Sequence, residues 1–197
     1  MQDFALYFDL GLHHILDWNG YDHILFVMAL CGIYTVKDWK KVLILVTAFT
    51  VGHSITLALS VLNILRFNST VIEFLIPLTI LLTALTNILS NKSKPKNINL
   101  KYFLALAFGF IHGMGFSNYL KSLLGKSTSI VGELFAFNVG LEGGQVVIVL
   151  FTLLLGFILV SIVKIKLWDW TFFLSSAIFG ISFIMAAERL PALLKYL

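Results

Sequence analysis

The chain has 197 residues, of which 59% are hydrophobic and only 12% are charged, with a formal net charge of +4. A soluble domain carries about 25% charged residues, so this composition excludes an ordinary soluble domain and predicts an all-α polytopic membrane protein embedded in a lipid bilayer. The single cysteine, Cys31, excludes an intrachain disulfide and a multi-cysteine metal site. The basic residues lie mostly in short connections, without the concentrated basic face that a nucleic-acid partner requires.

The apolar segments predict one integral membrane domain over residues 1–197, a helical bundle of about six spans. Residues 3–16 are too short and too polar to span, and they predict an amphipathic or half-inserted helix at the start of the chain. The sequence predicts straight spans at residues 22–34, 41–65, 71–90, 101–124 and 168–187. The first of these is short, because 13 residues give about 20 Å of helix against a hydrocarbon core of about 30 Å.

The apolar stretch at residues 129–164 is long enough to need a break. Its 36 residues would form a helix of about 54 Å, which is too long for one straight span. Gly140, Gly143 and Gly144 mark the expected position of the break. We therefore predict a short entering segment followed by a glycine-broken fifth span.

The distribution of lysine and arginine predicts the orientation. The connections after spans one, three and five carry nine of these residues, and the other side carries five. Because basic residues favour the cytoplasmic side, both termini are predicted to lie outside the cytoplasm.

Residues 137–145 place three polar side chains, Asn138, Glu142 and Gln145, inside a long apolar segment. Spacings of four and three put them on one face of a helix. A carboxylate at membrane depth costs about 2.5–3.5 kcal/mol on insertion scales, so Glu142 requires a partner. The candidate partners are the five histidines, which all lie in or beside short polar motifs: His13, His14, His23, His53 and His112.

Five predicted segments place ionisable groups in the middle-to-outer half of the membrane, which favours one shared site open to the outer side. Asp22 and His23 begin the first span, as a ligand pair or as a carboxylate that orients an imidazole. A helix-capping role for Asp22 is the alternative. Around the site, hydrogen-bonding or helix-packing roles are expected for Thr50, Ser54, Asn138 and Gln145.

The residue types limit what such a site would hold. Imidazole combined with carboxylate suits nickel, zinc, cobalt, copper(II) or iron, and the lack of a second cysteine excludes a thiolate site. The chain has no phosphate-binding glycine loop with its lysine, so a nucleotide partner is not expected.

The ordered motifs of the chain resemble those of the HupE/UreJ family of small bacterial membrane proteins. They are Gly11-x-x-His14-Ile-Leu, Tyr21-Asp22-His23-Ile-Leu-Phe26, Phe49-Thr50-x-Gly52-His53-Ser54, Phe108-Gly109-Phe-Ile-His112-Gly113 and Phe137-Asn138-x-Gly140-x-Glu142-x-Gly144-Gln145. The resemblance implies a nickel permease of the bacterial cytoplasmic membrane, associated with hydrogenase and urease gene clusters. It implies the following transport or metal residues: His14, Asp22, His23, His53, His112 and Glu142. Met114-Gly115-Phe116 follows the His-Gly pair where hydrogenase-linked members carry a second histidine and an acid, which indicates a divergent branch.

The same residues fit two alternative functions. The first is a permease for a divalent transition-metal ion, with nickel favoured by the resemblance. The second is an intramembrane metal-dependent hydrolase, in which a fixed metal activates water and Glu142 or Asp22 acts as general base. A structural subunit with a buried hydrogen-bond network is a third, weaker hypothesis. The sequence leaves the metal, the direction of transport and a homo-oligomeric state open.

Overall fold

The computed structural model describes residues 2–65, 67–90, 98–124 and 130–196, and this part of the chain is helical with no strand. The α-helices are α1 (Gln2–Leu16), α2 (Asp22–Cys31), α3 (Trp39–Val61), α4 (Ser69–Leu89), α5 (Ile98–Leu124), α6 (Ile130–Phe157) and α7 (Leu167–Tyr196). A 3-10 turn at Val36–Asp38 leads into α3, and a π-helical turn at Ile158–Ile162 ends α6. The predicted all-α bundle and the helix over residues 3–16 are confirmed.

Four helical segments of the described chain are long and apolar enough to cross a membrane: Val36–Val61, Ser69–Leu89, Ile130–Ile162 and Leu167–Tyr196. The shorter apolar helix α2 is the first predicted span, and it ends at Cys31 rather than at Tyr34. Residues 91–97, which belong to the basic connection after the third predicted span, lie outside the described residues, as do Arg66 and Lys126. The protein is therefore a multi-pass membrane protein.

Helices α3 and α5 form a close-packed pair. A Cβ atom added at Gly52 would overlap the backbone oxygen of Leu106, and one added at Gly113 would overlap that of His53. The residue numbers of the contacting positions increase together along both helices, so α3 and α5 run parallel. Small residues allow this close approach of two backbones within a membrane.

Helices α1 and α6 form a second parallel pair of the same kind. A Cβ atom at Gly140 would overlap the backbone oxygen of Phe8, and one at Gly144 would overlap the side chain of Ile15. Because these glycines form a contact surface for α1, α6 continues unbroken through them from Ile130 to Phe157. The predicted glycine break in the fifth span is therefore wrong.

The discontinuous span lies at the start of the chain. Thr171 on α7 donates to the backbone oxygen of Gly32, just after α2, at 3.1 Å, and Gly156 near the end of α6 lies beside the Trp170 ring. Both α2 and α6 thus run toward the start of α7, and α1 runs in the same direction as α6. Helices α1 and α2 are consecutive halves of one broken span, joined by the irregular residues 17–21.

Helices α4 and α7 pack along each other, and one polar contact between them follows from a proline. Pro77 inside α4 has no N–H, so the carbonyl of Glu73, four residues earlier, lacks its helical donor. Arg189 on α7 fills this position, with its Nη1 2.7 Å from the Glu73 oxygen. This contact fixes the end of α7 against the first turns of α4.

Candidate metal centre

Four helices bring four histidines together inside the bundle. His14 lies in the last turn of α1, His23 in the first turn of α2, His53 in the middle of α3 and His112 in the middle of α5. The exposed fractions of His53, His112 and His23 are 0%, 1% and 5%. The break between α1 and α2 and the two close-packed helix pairs thus create one imidazole cluster, in which three rings are buried and His14 is half-buried.

Three of these histidines are spaced like the ligands of one ion. Each of His14, His23 and His53 offers a ring nitrogen, and the three nitrogens lie within 4.8 Å of one another. Two nitrogens bound to one ion at about 2.1 Å lie no more than about 4.2 Å apart, so a small contraction would complete the site. The ring of His112 lies beside them, with its centroid 5.3 Å from that of His23.

Hydrogen bonds orient two of the rings. The Nδ1 of His23 donates to Oδ1 of Asp22 at 2.9 Å, and the backbone N–H of His23 donates to the same oxygen at 2.8 Å. The Nδ1 of His112 donates to the backbone oxygen of Phe108 at 2.9 Å. Because Nδ1 carries the proton in each case, Nε2 of a neutral ring is left with its lone pair, as in metal-ligating histidines.

The nitrogens that face the cluster have no hydrogen-bond partner in the described part of the chain. This holds for Nε2 of all four histidines and also for Nδ1 of His53, and each of these atoms is buried. A buried polar atom without a partner costs about 1–3 kcal/mol, so several in contact indicate that another group completes the site. A transition-metal ion that takes imidazole ligands fits this donor set.

A partly open cavity of about 690 Å³ leads to the cluster. His14, His23, His112 and Asp22 line this cavity together with the residues of the α1–α2 break. Irregular backbone is tolerated at membrane depth where it lines such a cavity. The rest of the lining includes Asp17, Trp18, Glu73 and Arg189.

Glu142, the strongest candidate carboxylate of the sequence, is not part of the three-histidine group. Its Oε1 accepts a hydrogen bond from Thr47 on α3 at 2.8 Å. Gln145 faces the same helix, with its Oε1 accepting from Thr50 at 2.6 Å. The polar face of α6 therefore lies against α3, because the glycine face of α6 is occupied by α1.

The residues expected around the site also take other partners. Thr50 bonds Gln145 and the backbone oxygen of Val46 rather than a histidine, and Ser54 donates to the backbone oxygen of Thr50 at 2.7 Å. The Oδ1 of Asn138 is buried without a partner among the described residues. His13 lies apart from the cluster, exposed and 3.4 Å from Asp9.

Two aromatic rings that pack at His14 were not predicted from the sequence. The Phe116 ring lies over the His14 ring with a centroid distance of 3.7 Å, and Phe137 stacks on Phe116 at 5.3 Å. The available signal was their place at the edges of two polar motifs, Gly115-Phe116 and Phe137-Asn138. Thr47, the partner of Glu142, follows an apolar run, and no motif of the sequence indicated its contact with Glu142.

The fold and the site define a multi-pass helical membrane protein with a cluster of imidazole nitrogens spaced like metal ligands. The model of the HupE / UreJ protein family matches residues 1–188, and the chain belongs to this family. The family is associated with the transport of nickel or cobalt. No curated protein and no solved structure matches the chain.

Proposed function

We propose that this protein is a membrane permease for a divalent transition-metal ion, with nickel as the first candidate because of its family. The observation that carries the proposal is the set of buried imidazole nitrogens without partners where the cavity meets the bundle interior. The ion is the cargo, and it exchanges its water for the ring nitrogens of His14, His23 and His53. His112 provides a fourth nitrogen beside them.

The charge and the backbone around the cluster support the transport of a cation. Asp17 and Glu73 line the cavity and present carboxylates to an arriving ion. Asp22 lies next to the cluster and offsets part of a double positive charge. The broken span formed by α1 and α2 resembles the discontinuous helices at which secondary transporters bind their ions, and movement of such halves provides a route for release.

The predicted orientation is compatible with uptake from outside the cell. Glu73 at the start of α4 and Arg189 near the end of α7 both line the cavity, so it opens at the end of the bundle where the chain terminates. With both termini outside the cytoplasm of a bacterial inner membrane, the cavity would face outward. Reporter fusions at the two termini test this orientation.

The donor set of the cluster also fits one second candidate, the intramembrane metallohydrolase. Three nitrogens with one open position are also the pattern of a catalytic zinc site. Against it, Asp22 is engaged with His23 and Glu142 with Thr47, so neither carboxylate is free beside the cluster as a general base.

A measurement of nickel flux across a membrane distinguishes the permease from the hydrolase. The full chain is reconstituted into lipid vesicles, and the uptake of radioactive nickel is followed over time. A permease accumulates nickel in the vesicle interior, His53→Ala abolishes uptake, and His13→Ala is the matched control because His13 lies outside the cluster. A wild type that holds one nickel ion firmly but passes none into the vesicles contradicts the permease and favours the hydrolase.

A further inference from the structure

The hydrogen bonds of Glu142 and Gln145 join two halves of the bundle. Glu142 accepts from Thr47 and Gln145 accepts from Thr50, so both contacts connect α6 to α3. We call these four residues the α3–α6 polar contact. Gln145 and Thr50 are buried, so their bond lies inside the protein, whereas Thr47 is exposed and Glu142 is half-buried, so their bond lies at the outer edge of the α3–α6 contact.

The two helices that meet at this contact belong to different close-packed pairs. The α1–α6 pair carries His14, and the α3–α5 pair carries His53 and His112. Within each pair the backbones touch at glycines, and α1 packs mainly on α6. The position of His14 relative to His53 therefore depends on how α6 lies against α3.

No hydrogen bond of His14 to another described residue is present to hold its ring in the cluster. Its Nε2 is buried without a partner among those residues, and its ring is supported by Phe116 and Phe137. Asp22 and the Phe108 carbonyl fix His23 and His112 instead. Of these three rings, His14 is the one whose placement relies on helix packing.

We propose that Glu142 and Gln145 are positioning residues of the metal site and not metal ligands. They hold α6 against α3 and thereby keep His14 within reach of the nitrogens of His23 and His53. The proposal rests on the proposed function, in which the histidine cluster binds the ion. Position 142 then requires a hydrogen-bond acceptor for Thr47 and not a negative charge.

Substitutions at both ends of one bond separate these roles. Glu142→Gln keeps an acceptor oxygen and removes the charge, whereas Glu142→Leu removes both. Thr47→Val removes the donor with little change of shape, and Thr47→Ser restores a hydroxyl. If Glu142→Leu fails to insert, the Thr47 pair carries the test, because it leaves the carboxylate in place.

The measurement combines nickel affinity with X-ray absorption on the full chain in detergent, which counts the imidazoles around the ion. We expect Glu142→Gln and Thr47→Ser to match the wild type. Glu142→Leu and Thr47→Val should lose about tenfold or more in affinity, on the scale of a lost supporting contact, together with one imidazole. His14→Ala should lose the same imidazole, and adding Glu142→Leu to it should cost little more.

Three results overturn the proposal. If Glu142→Gln lowers nickel affinity as much as Glu142→Leu does, Glu142 acts as a ligand or through its negative charge. Glu142→Leu and Thr47→Val with wild-type affinity and imidazole count would show that the contact does not position His14. A wild type that binds no nickel would remove the proposed function as well, and this failure is distinct because it appears before any substitution.

Discussion

Asp22 and His23 are adjacent in the chain, yet their side chains are hydrogen-bonded, with Oδ1 of Asp22 2.9 Å from Nδ1 of His23. The contact forms in the first turn of α2, immediately after the break that interrupts the first span. It fixes the proton of His23 on Nδ1 and directs Nε2 to the cluster. The Asp22-His23 pair, which also fits a simple helix cap, therefore orients the imidazole of a proposed ligand.

Asp22→Ala should lower nickel affinity by about 10–100-fold, the usual cost of losing the partner of a metal-ligating histidine. Asp22→Asn should lose less, because its amide oxygen still accepts from Nδ1 while the negative charge is gone. Calorimetric titration of the purified variants with nickel measures both effects. Asp9→Ala is the control, since Asp9 contacts the exposed His13. Wild-type affinity in Asp22→Ala would contradict this role.

Gly140→Ala should destabilise the protein by about 1–3 kcal/mol, the usual cost of overpacking, because its Cβ would overlap the Phe8 backbone and push α1 off α6. Nickel affinity should fall in parallel, since α1 carries His14. Gly180→Ala on α7 is the matched control: its Cβ meets no atom within 4 Å, and alanine favours a helix. Thermal unfolding in detergent compares the two. Equal midpoints would argue against close packing of α1 on α6.

Arg189→Ala should destabilise the α4–α7 contact by about 0.5–1.5 kcal/mol, the net value of a typical hydrogen bond, because the Glu73 carbonyl then loses its donor. In a Pro77→Ala background the same substitution should cost less. Residue 77 then supplies the missing helical N–H, and Arg189 is no longer needed. A double-mutant cycle of unfolding free energies measures this coupling. Strictly additive effects would mean that Arg189 does not replace the missing donor.

The class of fold and the clustering of the histidines could be predicted from the sequence. Both follow from the length of the apolar segments and from the position of each histidine along its helix. Apolar length identifies membrane helices, and the depth of His53 and His112 along their helices follows from the rise per residue. Because ionisable side chains are rare at this depth in a membrane, His53 and His112 were expected to contact each other or other polar groups. Their clustering with His14 and His23 in the structure agrees with that reasoning.

The location of the break and the surroundings of Glu142 depend on neighbours that the sequence does not specify. Gly140 and Gly144 predict a flexible backbone in isolation, but a facing helix makes them a packing surface. Helical periodicity placed Glu142 and Gln145 on one face without indicating which helix that face meets. It meets Thr47 and Thr50 on α3 rather than the histidines.

The most direct test of the central claim is X-ray absorption at the nickel edge on the purified full chain after dialysis with nickel, compared with His53→Ala and His13→Ala. The claim predicts imidazole nitrogens at about 2.1 Å around the ion, close to the distance known for imidazole on zinc. It predicts their loss in His53→Ala and their retention in His13→Ala. Nickel bound only by oxygen ligands, or a spectrum unchanged by His53→Ala, would contradict a metal site at the histidine cluster.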